Sequence, residues 1–158
     1  MKSLRRYDIP DAHYFVTAVT YRREPLLLRD VELFWVSWRN MKLTAWVVLP
    51  DHFHAILRPD NQSISDIIHQ FKITYSRHFR DKYRSGRVWH NRFWDHAIRD
   101  QEDLHRHTDY IHYNPVKHGL AKDAGSYVLS SFQKFVTEGY YSPDWGSNAI
   151  EFEGEYGE

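Results

Sequence analysis

The chain has 158 residues, of which 42% are apolar, so it can bury one hydrophobic core but is too short for two domains. It has no cysteine, which excludes disulfides and thiolate metal sites and leaves histidine, carboxylate and amide groups as metal ligands. Residues 1–15 lack the apolar centre of a secretory signal, and no run approaches the roughly twenty apolar residues of a membrane span. We therefore expect a cytoplasmic, single-domain protein that does not enter a membrane.

The charge is unevenly distributed along the chain. The formal net charge is zero, but residues 137–158 carry six acidic residues and no Lys or Arg, which leaves a net charge of +6 on the rest. We predict a folded domain over residues 1–136 and a flexible acidic tail over residues 137–158. A basic domain in a chain with 11 histidines and 16% aromatic residues is suited to binding nucleic acid. The tail either keeps the protein in solution or lies in the basic groove and restrains activity.

The first part of the chain predicts a strand, a helix and a hairpin. Residues 13–21 alternate and are rich in aromatic and β-branched residues, which is typical of a strand. Large apolar side chains recur at helical spacing in residues 26–40. The apolar runs 43–49 and 52–57 are separated only by a Pro-Asp pair, which favours a tight turn, so we expect an antiparallel hairpin.

Residues 63–83 show the clearest helical pattern in the chain. Apolar side chains from Ile64 to Phe79 fall on one face, and either Ser63 or Ser65 is suited to cap the first turn. The other side of this helix is basic. It is either a solvated face or a track for phosphates.

The remaining elements complete a mixed fold. Residues 88–99 are expected to return to the sheet as extended chain, and a second long helix is expected over residues 102–114, where Pro115 should stop or bend it. Residues 127–136 predict an edge strand or a segment packed across the body. This order of elements predicts an α+β layer sandwich, with an antiparallel sheet and helices on one face.

Two pairs of residues are candidates for a metal site beside a nucleophile. His52 and His54 lie two apart in a predicted strand, so their imidazoles share one face and can grip one ion. Tyr110 and Asn114 lie four apart in a predicted helix, which brings a hydroxyl and an amide oxygen onto nearly the same face. If that helix covers the sheet, three ligands and a nucleophile meet. Two ordinary histidines and a core tyrosine are the alternative.

Four motifs occur in a defined order along the chain. They are LPDHFH at residues 49–54, GRVWHNRF at residues 86–93, YIHYNPV at residues 110–116 and the pair Ser130-Ser131. Together they resemble the REP-associated tyrosine transposases, which are relatives of the single-tyrosine HUH transposases. The resemblance extends from about His13 to Ser131, and the order of the four motifs makes it specific.

The resemblance implies a ferredoxin-like fold, a divalent ion such as Mg²⁺ or Mn²⁺, and cleavage of single-stranded DNA next to a hairpin. His52 and His54 match the two HUH histidines, and Tyr110 matches the nucleophile. Asn114 stands where relatives place a third ligand, often an amide. Attack by the tyrosine gives a 5′-phosphotyrosine and a free 3′-hydroxyl, so a second strand can be joined without ATP.

Some positions depart from the family pattern or compete for a role. Asp51 stands where the family commonly has Asn, although both residues suit tight turns. Pro115 bends the helix beside the third ligand. His112 is a rival ligand, although it points about 200° away from the nucleophile along the helix, and Tyr113 is a rival nucleophile. His107 either assists the nucleophile or faces solvent.

The residues expected to bind nucleic acid are cationic or aromatic, and they are Arg5, Arg6, Arg22, Arg23, Lys72, Arg77, Arg84, Arg87, Trp89 and Arg92. Trp89 either stacks on an unpaired base or belongs to the core. The expected partner is single-stranded DNA with a REP-like hairpin, bound by a monomer or a homodimer.

Other functions fit parts of this pattern. A non-catalytic regulator with the same fold would bind hairpin DNA and form no covalent adduct. A plasmid-type replication initiator shares the chemistry but usually belongs to a larger protein. An RNA-binding α+β module has no use for the histidine pair together with Tyr110.

Overall fold

The computed structural model describes residues 12–158 and shows a four-stranded antiparallel sheet with helices on both faces. The strands are β1 (Tyr14–Val19), β2 (Leu43–Val48), β3 (His52–Leu57) and β4 (Trp94–Ala97). The helices are α1 (Val31–Ser37), α2 (Ile64–Lys82), α3 (Gln101–Lys117) and α4 (Phe132–Thr137). The described part of the chain contains no helix long and apolar enough to cross a membrane. Arg5 and Arg6 lie outside the described residues.

The order of strands in the sheet is β2-β3-β1-β4, and every neighbouring pair is antiparallel. Along the chain the elements run β1-α1-β2-β3-α2-β4, which is the ferredoxin-like arrangement. The α+β fold expected from the sequence is therefore confirmed. The two central strands β1 and β3 pair along their whole length, which makes them a rigid base for side chains that point from either face.

Apolar side chains cover both faces of the sheet. Phe53 and Ala55 of β3 belong to a core that includes the buried faces of α1 and α2. Phe15 of β1 and Ile56 of β3 point to the opposite face and pack with Ile111 of α3. The expectation of helices on one face therefore holds for α1 and α2 but not for α3. The central strands are apolar on both sides, so the sheet needs a second cover.

Helix α2 follows its sequence pattern closely. Ser63 caps it, because the side chain of Ser63 accepts a hydrogen bond from the backbone N–H of Asp66 at 3.0 Å. Its apolar stripe is buried in the core shared with the sheet, and it consists of Ile64, Ile67, Ile68, Phe71, Tyr75 and Phe79. The cap at Ser63 and the apolar stripe together explain why the helix begins at Ile64.

Helix α3 continues past the proline that was expected to end it. Asp100 caps the helix by accepting a hydrogen bond from the N–H of Asp103 at 2.8 Å, and the helix runs to Lys117. The expected end at Asn114 is therefore wrong. Pro115 stands in the last turn, where its missing N–H removes only one helical hydrogen bond.

The segment after α3 does not add a strand to the sheet. Ser130 forms a single β-bridge with Val47 of β2, and the N–H of Ser131 donates to the carbonyl of Trp46 at 2.9 Å. The chain then turns into α4 at Phe132. The segment thus packs across the edge of the body, which was the second of the two expected outcomes.

The acidic C-terminal residues lie against the face of the sheet that α3 covers. Tyr156 is buried and stacks on Tyr110 with 3.7 Å between ring centroids, and Phe152 packs against the same tyrosine. Tyr141 is also buried, against Phe132 of α4. The aromatic residues between the acids thus supply apolar contacts with the folded body, which the acidic composition did not suggest. The domain boundary after residue 136 stays a prediction.

Candidate active site

Strand β3 brings the two candidate histidines to one place. His52 and His54 point to the face covered by α3, and their ring centroids lie 5.0 Å apart. Phe53 between them points into the core on the opposite face. Both histidines are almost fully buried, at 2% and 0% exposure. Two imidazoles therefore share one buried position, as a spacing of two residues in a strand predicts.

Further hydrogen bonds determine which ring nitrogen of each histidine carries the proton. The carboxylate of Asp51 can only accept, so Nδ1 of His52 donates to it at 2.7 Å. The hydroxyl of Thr17 donates to the carbonyl of Tyr156 at 2.6 Å, so it accepts from Nδ1 of His54, also at 2.6 Å. In the neutral imidazoles with these Nδ1 protons, Nε2 offers a lone pair, which is how metal-binding histidines are arranged.

The C-terminal Glu158 reaches this pair, which was not predicted from the sequence. Its Oε2 lies 2.9 Å from Nε2 of His52 and 3.5 Å from Nε2 of His54. The ligand atoms of the three residues all lie within 4.8 Å of one another. The Glu158 side chain is only 9% exposed, although the residue as a whole, with the chain terminus, is exposed. The six acids of the tail look alike in sequence, so only the path of the tail singles out Glu158.

Burial and charge set the protonation of these groups. Burial is the main reason that the pKa of His54 falls to about 4, so its ring is neutral at physiological pH. Burial also lowers the pKa of His118, whose Nε2 lies 2.7 Å from Oε2 of Glu158. The site therefore combines neutral imidazole with an ionised carboxylate.

Helix α3 places the candidate nucleophile and third ligand against the same site. The ring of Tyr110 lies 5.3 Å from the ring of His54 and is 1% exposed. Asn114 is fully buried, and its Nδ2 donates to Oε1 of Glu158 at 3.1 Å. Within residues 12–158, Oδ1 of Asn114 and Nε2 of both histidines are buried atoms without a hydrogen-bond partner. Imidazole nitrogens with amide and carboxylate oxygens suit a divalent ion, so these residues fit a metal.

Lys117 connects the phenol to the C-terminal carboxylate. Its Nζ donates to the hydroxyl of Tyr110 at 3.0 Å and to Oε1 of Glu158 at 2.8 Å. A spacing of seven residues places Lys117 two helical turns after Tyr110 on nearly the same side of α3. That spacing is visible in the sequence. A lysine in the last turn of a helix is common for other reasons, however, so Lys117 did not stand out.

The two rivals on α3 have other partners. His112 is fully buried, with Nδ1 2.9 Å from the hydroxyl of Tyr141 and Nε2 2.7 Å from that of Ser131. The hydroxyl of Tyr113 accepts a hydrogen bond from the N–H of Ile150 at 3.1 Å. His112 and Tyr113 thus hold the C-terminal segments against α3 rather than facing the histidine pair.

A second cluster with metal-ligating side chains joins β4 to α3. It consists of His96, Asp103 and His107. The two carboxylate oxygens of Asp103 already accept hydrogen bonds from Arg106 at 2.6 Å and from His96 at 2.7 Å. His107 is buried, and its Nδ1 bonds to the backbone carbonyl of Asp103 at 2.8 Å, so the expectation that it faces solvent is wrong. This cluster is occupied by its own hydrogen bonds and fastens the start of α3 to the sheet.

Four of the predicted phosphate-binding arginines meet around the turn after β1, and we call them the turn patch: Arg22, Arg23, Arg84 and Arg87. Arg22 and Arg87 lie over the ring of Tyr21, at 5.1 and 4.6 Å from its centroid. Arg84 forms an ion pair with Glu24 at 2.8 Å. Sequence spacing does not predict this meeting, because α2 separates the two pairs along the chain.

The turn patch is connected to the histidines. Arg23 pairs with Asp51 at 3.3 Å, and Asp51 in turn holds His52. A cavity of about 220 Å³ is lined by Arg23, Asp51, His52 and His118, together with apolar residues. The turn patch and the histidine pair therefore adjoin each other through Arg23, Asp51 and this cavity.

The other predicted nucleic-acid-binding residues are placed differently. Lys72 donates to the backbone carbonyls of His90 and Arg92, at 2.9 and 3.2 Å, so it supports the loop that carries Arg92. Arg77 is exposed on α2. Trp89 is only 5% exposed and packs in the core against the rings of Phe53, Phe71 and Tyr75. Of the two alternatives for Trp89, the position in the core is therefore the one observed, and its ring has no exposed face on which a base could stack.

Known proteins resemble this chain over nearly its whole length. Residues 12–114 match the family described as "Transposase IS200 like". A REP-associated tyrosine transposase of Escherichia coli K12 is 34% identical, and the match covers 96% of this chain and 95% of that protein. A Haemophilus influenzae protein assigned to the same group is also 34% identical, with 94% and 95% covered.

A solved structure agrees in fold as well as in sequence. It is a REP-associated tyrosine transposase bound to a REP hairpin, with a TM-score of 0.86 and 32% identity. The match covers 100% of this chain and 98% of that one. The chain described here therefore belongs to the IS200-like transposase family, among the REP-associated tyrosine transposases.

Proposed function

We propose that the protein is a metal-dependent endonuclease and strand transferase that cuts single-stranded DNA next to REP-like hairpins through a covalent 5′-phosphotyrosine. One observation carries the proposal. Within residues 12–158, three buried ligand atoms on His52, His54 and Asn114 have no hydrogen-bond partner. The ring of His54 lies 5.3 Å from that of the candidate nucleophile Tyr110, and Asn114 lies about one helical turn after this tyrosine. The likeness to a transposase solved with a REP hairpin supports the choice of DNA partner.

His52, His54 and Asn114 would hold the divalent ion, either Mg²⁺ or Mn²⁺. Such an ion neutralises and polarises the scissile phosphate, whose oxygens otherwise repel a nucleophile. His54 is neutral at physiological pH because of burial, so it leaves the charge of the ion available to the phosphate.

Tyr110 would supply the attacking oxygen. A bond forms between the phenolate oxygen and phosphorus, the bond from phosphorus to the 3′ oxygen breaks, and the departing oxygen keeps the electron pair and takes a proton. The phenolic proton is lost to solvent beforehand, and the ammonium of Lys117 at 3.0 Å favours the phenolate. One phosphoester bond replaces another, so a different 3′-hydroxyl can reverse the step and join strands without ATP.

The origin of the residues supports action by a single subunit. The histidines, the nucleophile and Lys117 all come from one chain and meet on one face of the sheet. The turn patch and the adjoining cavity support a path by which DNA reaches them.

The test is an adduct assay with the full-length protein. Labelled single-stranded DNA carrying a REP-like hairpin is mixed with protein and Mn²⁺ or Mg²⁺, and the products are separated under denaturing conditions. We expect a covalent adduct that EDTA prevents and that Tyr110→Phe abolishes. Tyr113→Phe is the matched control and should retain the adduct, because its hydroxyl bonds to the backbone of Ile150.

Two results would contradict the proposal. An adduct that persists in Tyr110→Phe would assign the nucleophile elsewhere. Tight hairpin binding with no adduct under any divalent metal would instead support the non-catalytic regulator.

A further inference from the structure

The contact between Glu158 and the two histidines is not an ordinary ion pair. Nδ1 of His52 donates to Asp51 and Nδ1 of His54 donates to Thr17, so both Nε2 atoms present lone pairs. In neutral imidazoles these two nitrogens carry no proton, and they lie 2.9 and 3.5 Å from the anionic Oε2 of Glu158. Unprotonated nitrogen and an anionic oxygen repel one another at such distances, so a cation bound by all three atoms makes the arrangement favourable.

The geometry of these contacts is also that of ligands sharing one ion. Ligand atoms about 2.1 Å from a metal, at angles of 90–110°, are separated from each other by about 3.0–3.4 Å. The separations of 2.9 and 3.5 Å between Oε2 of Glu158 and the histidine nitrogens lie close to this range. Within the described residues, neither Nε2 atom makes a contact with hydrogen-bond geometry. The atoms are close, but they do not point at each other as a donor and an acceptor do.

The carboxylate is held in this position by several side chains. Oε1 of Glu158 accepts from Lys117 at 2.8 Å and from Asn114 at 3.1 Å, and Oε2 lies 2.7 Å from Nε2 of His118. These donors leave Oε2 a second lone pair on the side of His52 and His54.

The residue before Glu158 fits its position only as glycine. Gly157 has a φ of +81°, which disfavours other residues, and a Cβ there would overlap the side chain of Trp94. Tyr156, stacked on Tyr110, anchors the preceding turn. The position of Glu158 is therefore fixed by packing as well as by charge.

We propose that, in the DNA-free protein, the side-chain carboxylate of Glu158 is a ligand of the divalent ion together with His52 and His54. The inference rests on the proposed function, because it takes the histidine pair to be a metal site. It adds a ligand from the C-terminus that the scissile phosphate replaces, since both groups offer an anionic oxygen.

The test measures Mn²⁺ affinity without DNA or catalysis. Full-length protein is titrated with Mn²⁺, and free Mn²⁺ is followed by electron paramagnetic resonance. We expect Glu158→Gln to weaken binding by about tenfold or more, since an anionic ligand is lost. Glu151→Gln, an exposed acid in the same tail, is the matched control and should bind like the wild type. Gly157→Ala keeps the carboxylate of Glu158 but displaces the backbone that positions it, so this variant should also bind Mn²⁺ more weakly.

The outcomes separate this inference from the proposed function. If Glu158→Gln binds Mn²⁺ as tightly as the wild type while His54→Ala does not bind it, Glu158 is not a ligand and the proposed function stands. If the wild type itself binds no Mn²⁺, both fail. Circular dichroism of each variant shows whether it is folded. As a second readout, Mn²⁺ at low stoichiometry should broaden the amide NMR signals of residues 157 and 158 in the wild type, and unbroadened signals would overturn the inference.

Discussion

The two histidines of β3 acquire their chemical state from the residues bonded to their second nitrogens. Asp51 orients His52 and also pairs with Arg23. Burial raises the pKa of Asp51, but the bonds from His52 and Arg23 outweigh it and lower that pKa. A carboxylate at this turn therefore gives His52 an anionic hydrogen-bond acceptor, which an Asn side chain could not provide. Thr17 orients His54 in the same way, but its hydroxyl is a neutral acceptor.

At the same scale, Lys117 is expected to assist Tyr110. Lys117→Met should slow adduct formation by about tenfold or more, because the cation at 3.0 Å from the phenol oxygen is lost. Lys117→Arg keeps the charge and should retain much more activity. The check is the single-turnover rate of adduct formation at saturating Mn²⁺ and DNA.

Lys122→Met removes an exposed lysine nearby in sequence and serves as the control. Equal rates for Lys117→Met and Lys122→Met would show that Lys117 does not assist the nucleophile.

At the scale of elements, α2 and α3 depend on different forces. The boundaries of α2 follow from its cap and its apolar stripe, both of which are local in sequence. In α3 the buried residues include charged and polar side chains, and their partners come from β4, the loop before α4 and the tail. The position of α3 therefore depends on the whole fold, and so does the meeting of its tyrosine with β3.

The cap of α2 allows a prediction of stability. Ser63→Ala should lower the free energy of unfolding by about 1 kcal/mol, because the N–H of Asp66 loses its acceptor. Ser65→Ala is the matched control in the same turn and should change stability by less than about 0.5 kcal/mol. Urea denaturation followed by circular dichroism measures both. A larger loss for Ser65→Ala would place the cap two residues later than the structure does.

At the scale of the whole molecule, buried histidines connect stability to pH. Burial lowers the pKa of His112 to about 3, that of His54 to about 4, and that of His107 in the same direction. Their unfolded pKa is near 6.5, so below that pH the unfolded chain binds protons that the folded chain does not. Stability is therefore complete above about pH 6.5 and falls as the pH is lowered towards 4.

The slope of this fall is the measurable quantity. Each such histidine contributes up to roughly 1.4 kcal/mol per pH unit, so the urea midpoint should drop steadily between pH 6.5 and pH 4. His112→Gln should reduce the slope by about one such contribution, whereas the exposed His69→Gln should not change it. A slope unaffected by His112→Gln would contradict the buried, neutral state of His112.

The carboxylate of Asp103 acts in a lower pH window than the histidines. Burial raises the pKa of Asp103, but hydrogen bonds from the backbone of Arg99 and from His96 outweigh it and hold that pKa well below its usual range. Its contribution is present above about pH 4 and is lost only below that. Asp103 therefore adds little to the loss of stability between pH 6.5 and pH 4.

Local patterns in the sequence were sufficient for much of the fold and part of the site. The strand at residues 14–19, the hairpin and α2 follow from alternation, a turn pair and a helical stripe, which act within a few residues of each other. The spacing of His52 and His54 placed both on one face for the same reason. The spacing of Tyr110 and Asn114 placed both residues on one side of a helix. Pro115 led to a wrong prediction only for the residue at which that helix ends.

What the sequence alone could not supply are the contacts between segments far apart in the chain. The seat of Glu158 beside His52, the burial of Trp89 and the place of α3 on the second face of the sheet all depend on how complete elements pack. The acidic composition suggested a mobile tail, because composition gives the number of charges but does not show which aromatic rings pack against the folded body. Only the tertiary structure decides that, since burial is a property of the assembled surfaces and not of any one segment.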